Sequence, residues 1–279
     1  MLIAIIGTTL NIILDYILVY GVKGFMPSLH IEGAAIASVI AQFFMALLAF
    51  FFIKKKTGIP LKPVFPIHKE MKTFIQMILN LFIRTIALNI ALFLGSAFAT
   101  KYGNSSIAGY TIAINIWFLG AFLIDGYSSA GNILSGKLYG AKAYALLIEL
   151  SNKLILYGIC IGLLIMILGF SFYDIIGSLF TNEEGVLKQF YSIFWIVLIM
   201  QPFCALAFIF DGVFKGLGKV QFLRNLLLVS TFGVYIPALM LMDMLDMKLH
   251  AIFWALFIWV IARGIPLIIK FRQQFLAMV

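Results

Sequence analysis

Apolar runs of about 20 residues recur along the whole chain, and nothing else in the sequence limits its fold as tightly. Eight can be read, at about 2–22, 33–53, 72–100, 105–137, 144–172, 187–213, 223–245 and 249–270. A helix rising about 1.5 Å per residue needs roughly 20 residues to cross a hydrocarbon layer of about 30 Å. Lipid offers the backbone no hydrogen bonds, so segments of this length must satisfy their own as helices. The expected fold class is therefore an all-α integral membrane protein with about eight transmembrane helices. The third and fourth runs exceed the minimum and should tilt or project past the headgroups.

Composition serves here as an exclusion. With 63% of 279 residues hydrophobic and 11% charged, the chain departs far from the balance of a soluble domain, which is about half apolar and a quarter charged. A soluble globule, a disordered chain and a disulfide scaffold are excluded. The net charge of +9 does not indicate a nucleic-acid partner, which would require basic residues gathered on one wet face. Here they lie in short clusters between the apolar runs, so membrane lipids are the expected surroundings. Cys160 and Cys204 sit inside apolar runs, where a free thiol behaves as a small hydrophobe. The first run lacks a basic start and carries Asp15, which argues against a cleaved signal peptide.

Those basic clusters set an orientation. Segments 54–72, 137–153, 215–224 and 270–272 fall on one side of the membrane and hold fourteen of the twenty Lys and Arg residues. The opposite side holds Lys23, Lys101, Lys188 and Lys248, and Arg84 and Arg263 lie within spans. The positive-inside rule then predicts cytoplasmic N- and C-termini in a plasma (inner) membrane. Between the second and third runs, segment 54–71 carries Pro60, Pro63 and Pro66 among lysines and reads as a cytoplasmic linker. Segment 172–185 reads as a short amphipathic turn in the interface, with Thr181 and Glu184 spaced as a capping box for the next span.

Ionisable groups inside spans need a reason, since each costs roughly 3 kcal/mol on insertion scales. Asp15, Arg84, Asp125 and Asp211 would together cost about 10 kcal/mol facing lipid, so they should face the bundle interior or a wet cavity. Helical spacing agrees. Thr73, Gln76, Asn80 and Arg84 form one stripe; Thr111 and Asn115, then Asp125, Ser129 and Asn132, form another; Thr8, Asn11 and Asp15 form a third. Any single Asn or Ser in such a stripe can simply join helices, but three stripes point to a shared hydrated interior. Arg84 lies twelve residues after Lys72 and Asp125 twelve before Lys137, which places both about 18 Å from the inner boundary. Arg84 and Asp125 are expected within reach of one another, directly or through water, as either a protonation-sensitive switch or a permanent ion pair. Asp211, four residues before Lys215, is expected near the cytoplasmic end, and Arg263, seven before Lys270, is expected to snorkel. Pro202 and Pro237 predict kinks, and the glycine pairs 136/140, 158/162 and 212/216 predict close helix packing. Neither a nucleophile motif, a phosphate loop nor paired catalytic carboxylates are present, and no metal or cofactor is expected, so the chain does not read as an enzyme.

Several of these segments, taken in order, resemble the multidrug and toxic compound extrusion (MATE) family. LNIILDYILVYG (10–21) and GAAIASVIAQ (33–42) resemble its fifth and sixth helices. FIRTIAL (82–88), LIDGYSSAGNILSGKLYGAK (123–142), LFTNEE (179–184) and FDGVFKGLGKVQFLRN (210–225) resemble its second half, most of all in the DinF-like branch. The resemblance implies two lobes of six helices. Residues 1–53 would be the last two helices of an N-terminal lobe and residues 72–279 a complete six-helix C-terminal lobe. The first four helices, including the one whose acid drives proton coupling in the DinF-like branch, would lie outside this chain and be a partner from the same parent protein. The implied function is H+- or Na+-coupled antiport exporting organic or drug-like small molecules by alternating access. Asp125, Arg84, Asn80, Asn115, Asp15, Asn11 and Asp211 are the pathway candidates, with Asp125 as coupling carboxylate and Arg84 setting its charge balance. A flippase for lipid-linked saccharides and a non-transporting membrane fragment are the alternatives.

Overall fold

The computed structural model describes residues 2–21, 27–56 and 70–275. The chain divides into two compact units, Met1–His68 and Lys69–Val279. The prolines of the expected linker, Pro60, Pro63 and Pro66, lie outside the described residues. Among the described residues, eight helices are long and apolar enough to cross a membrane, as the apolar run lengths predict.

The first unit is an antiparallel pair, α1 (Leu2–Tyr20) and α2 (His30–Lys56). Small residues let the two backbones approach. A Cβ on Gly33 would lie 2.5 Å from the Leu18 carbonyl oxygen, and Gly7 faces the Met45 side chain. The Leu29 amide donates to that same Leu18 carbonyl at 2.9 Å, closing the turn. Such small-residue contacts replace the hydrophobic drive that lipid does not supply between helices.

The second unit contains α3 (Glu70–Lys101), α4 (Asn104–Gly140), α5 (Tyr144–Ser171), the short α6 (Tyr173–Ser178), α7 (Glu184–Gly216), α8 (Val220–Met244) and α9 (Leu249–Phe275). Helix α7 is its core: 67% of its most apolar window is buried, against 17% for α3. Its neighbours α4 and α5 carry glycine and serine where they meet it. A Cβ on Gly136 would lie 3.0 Å from the Gly216 carbonyl oxygen, and one on Gly162 would lie 2.7 Å from Pro202 Cα. Ser128 Oγ donates to the Phe208 carbonyl at 2.7 Å, and Ser135 Oγ to that of Val213 at 3.3 Å. The expected close packing is present at the 158/162 and 212/216 pairs and at Gly136, whereas Gly140 faces open space.

Two details differ from expectation. Helix α7 starts at Glu184 with Glu183 as its N-cap, and the Thr181 hydroxyl accepts from the Glu183 amide at 3.2 Å rather than capping the helix. In α8 the hydrogen-bonding pattern widens to a π-helix over Val229–Tyr235, directly before Pro237. Proline has no amide hydrogen and its ring crowds the preceding turn, and a widened turn accommodates both. This segment presents buried Thr231, whose Oγ1 accepts from Trp259 Nε1 of α9 at 3.1 Å. Thr231→Val leaves that indole N–H without an acceptor and should cost about 0.6–1.7 kcal/mol, the range for hydrogen bonds between membrane helices. A thermal melt in detergent reads it; an unchanged midpoint would show that the bond contributes nothing.

At one end of the unit, α3 and α8 are tied by a small polar cluster. Lys101 Nζ meets Asp243 Oδ2 at 2.8 Å, and Tyr102 OH donates to Asp243 Oδ1 at 2.6 Å. Burial, then the neighbouring Asp243 carboxylate, push the Tyr102 phenol well above its ordinary range, so it remains a donor.

Candidate functional site

Three helices of the second unit bring charge to one cavity. Asp211 and Lys215 stand one turn apart on α7, and Lys215 Nζ reaches Asp211 Oδ2 at 2.8 Å. From α3, Arg84 Nη2 reaches the other oxygen, Oδ1, at 2.6 Å. Asp211 is only 6% exposed, so both its oxygens are used in a largely dry setting. From α9 comes Arg263, 3% exposed, whose guanidinium lies 4.7 Å from the Trp259 ring centroid and 5.6 Å from that of Phe208. These four residues and Asp125 line a cavity of about 260 Å3, whose apolar wall includes Trp117, Phe118 and Phe122.

Arg84 thus forms its ion pair with Asp211, not with Asp125. The expectation for Asp211 took Lys215 as a marker of the membrane boundary, whereas Lys215 is half-buried and belongs to the cavity. Asp211 is accordingly the centre of the ion network. Arg263 does not snorkel either: aromatic faces hold it inside the unit, where a weakly hydrated guanidinium is better tolerated than an ammonium. Asp125 lies on the same cavity but is exposed, with no ion pair among the described residues.

The remaining candidates are placed elsewhere. Asn80 Oδ1 accepts from Arg224 Nη1 of α8 at 2.6 Å, so it joins two helices. Asn115 is exposed and turns its Nδ2 back to the Thr111 carbonyl at 2.8 Å. Asn11 and Asp15 belong to the first unit, where Asn11 Nδ2 and Asp15 Oδ1 are buried with no partner among the described residues. Sequence reasoning missed Lys215 and Arg263 as cavity residues. The signal was present in both cases: Asp211 and Lys215 are spaced i,i+4, and Arg263 interrupts an apolar run.

Comparison with known proteins agrees with this architecture. The MatE family model matches residues 73–241. Among curated relatives, Protein DETOXIFICATION 43 of Arabidopsis thaliana is 28% identical over 212 residues, covering 76% of this chain and 39% of its own length. DNA damage-inducible protein F of Escherichia coli (strain K12) is 23% identical over 279 residues, covering 97% and 58%. A solved outward-facing multidrug resistance MATE family transporter of the MOP superfamily superimposes with a TM-score of 0.86 at 20% identity, covering 99% of this chain and 62% of that one. The chain therefore spans about two-fifths to three-fifths of the length of these proteins. Eight apolar helices, a family match across most of the second unit, and a shared fold over nearly the whole chain place this membrane protein in the MatE family.

Proposed function

We propose that the protein, alone or as part of a longer polypeptide, exports organic or drug-like compounds by H+- or Na+-coupled antiport. Family membership supports the transport class, and the multidrug resistance name of the superimposed structure supports the substrate class. The observation that carries the coupling is the pair of carboxylates on one cavity, Asp211 fully engaged by Arg84 and Lys215, and Asp125 exposed with no ion pair among the described residues. A proton or Na+ arriving at Asp211 would compete with its two cationic partners and loosen α3 from α7. Asp125, on the same cavity, would exchange an ion as the compound binds. Rocking between two arrangements of the helices would then carry each in opposite directions, as alternating access requires. The basic clusters support a plasma (inner) membrane placement with both termini cytoplasmic.

Proteoliposomes containing the chain test this, with a pH or Na+ gradient and one cationic and one anionic fluorescent dye. Dye movement should collapse with the gradient and fall at least ~10-fold in Asp125→Asn, equivalent to about 1.4 kcal/mol of lost coupling. Movement that ignores both gradients, or is unchanged in Asp125→Asn, would refute the coupling role.

A further inference from the structure

We infer that the cavity of the second unit is a binding site for small amphiphilic anions, a carboxylate or phosphate carried on a flat apolar body. This rests on the transport reading and names the substrate class it leaves open. Three basic side chains line the cavity against two carboxylates, and one of those, Asp211, has both oxygens committed to Arg84 and Lys215. Two guanidinium nitrogens remain over. Arg84 Nε and Arg263 Nη1 are each buried with no hydrogen-bond partner among the described residues.

Arg263 is the sharper observation, because it is only 3% exposed and makes no ion pair among the described residues. Its ring contacts with Trp259 and Phe208 stabilise the positive charge but use none of its N–H groups as in-plane donors. A buried guanidinium nitrogen with no acceptor is unfavourable until one arrives, and a guanidinium pairs best with carboxylate or phosphate oxygens. A cationic ligand would meet an excess of like charge in a low-dielectric site. The rest of the wall fixes the other half of the ligand. Phe118 and Phe122 stack at 6.0 Å and Trp117 lies beside Phe118 at 5.3 Å, a surface suited to a flat apolar body. At about 260 Å3 the cavity falls just below the roughly 300–1,000 Å3 of drug-sized pockets, so a bicyclic aromatic acid is the right scale.

The test uses the full chain in phosphatidylcholine nanodiscs and a matched pair of probes, 2-naphthoate and 2-naphthyltrimethylammonium, titrated by calorimetry against empty discs. The anion should bind at least ~10-fold more tightly than the cation, and that preference should vanish in Arg263→Gln while Arg263→Lys retains part of it. Equal or tighter binding of the cation overturns the inference, as does anion binding that Arg263→Gln leaves unchanged. If Arg263→Gln does not fold, the wild-type ratio of the two probes decides alone. Replacing part of the phosphatidylcholine with phosphatidylglycerol separates the sources: competition assigns the site to lipid headgroups, and its absence assigns it to soluble organic acids. Anion binding without gradient-driven dye movement would overturn the transport reading and leave the binding site standing; cation preference with intact movement would do the reverse.

Discussion

Asp211→Asn is expected to destabilise the second unit by about 3–5 kcal/mol, the cost of removing one member of a buried ion pair. Asparagine has nearly the same shape, so the loss is electrostatic. The carboxylate answers Arg84 at 2.6 Å and Lys215 at 2.8 Å, and Arg263 lines the same cavity. Without it three cations line one cavity with no buried counter-charge among the described residues. Lys215 has the mildest problem, since its side chain keeps 29% of its exposure and can swing outward, whereas that of Arg84 keeps only 11%. The double variant Arg84→Met with Asp211→Leu removes the closest pair together and should recover most of the lost stability, because a buried pair often contributes little net of its desolvation. Thermal unfolding in detergent, followed by intrinsic fluorescence, gives both values. A single variant as stable as the wild type would show that water, rather than the dry contact seen in the structure, surrounds the pair. If the network couples ions as proposed, the double variant should lose ion-coupled transport while keeping its stability, which tells the two roles apart.

The fold was legible because its signal is repeated and physically simple. Eight runs of membrane-spanning length demand eight helices, whatever their packing. Glycine spacing also predicted close helix packing, found at the α4–α7 and α5–α7 contacts, because small residues let backbones meet where lipid supplies no hydrophobic drive. The site was less legible. Arg84, Asp125 and Asp211 were identifiable from their burial cost alone, and all three line the cavity. Their pairing was not, because depth counted along one helix says nothing about the tilt and offset of the next. Lys215 was misread separately: a lysine at a helix end usually marks the boundary, and here the i,i+4 partner Asp211 draws it inward. Arg263 was misread for a related reason. Snorkelling depends on a free path to the interface, and Trp259 and Phe208, distant in sequence from one another, close that path. Asn80 and Asn115 illustrate the opposite outcome, polar residues on a stripe that serve helix joining and local bonding.

Gly212→Leu should be the second severe substitution, and Gly126→Ala should do the opposite. Both glycines lie inside long helices, so propensity alone predicts a gain of about 1 kcal/mol on replacement by alanine. The difference lies in what a side chain would meet. Around Gly126 nothing comes within 4 Å, so Gly126→Ala should realise that gain even though it adjoins Asp125. A Cβ on Gly212 would instead lie 2.5 Å from the Ser128 carbonyl oxygen and on top of the Ser128 hydroxyl. The neighbour is backbone and cannot turn aside. Overpacking of this kind costs about 1–3 kcal/mol, occasionally more, and the full leucine side chain lies at the upper end. Displacing Ser128 also breaks its bond to the Phe208 carbonyl, a further ~0.6–1.7 kcal/mol. Paired melts of the two variants give the contrast directly, and a Gly212→Leu protein that melts with the wild type would mean α4 and α7 are not held this close. The consequence reaches the cavity, because Gly212 immediately follows Asp211 and both helices contribute to the cavity wall. Moving α7 away from α4 by even one side-chain layer carries Asp211 away from Asp125, so Gly212→Leu should weaken coupling even where the protein still folds, whereas Gly126→Ala should leave it intact.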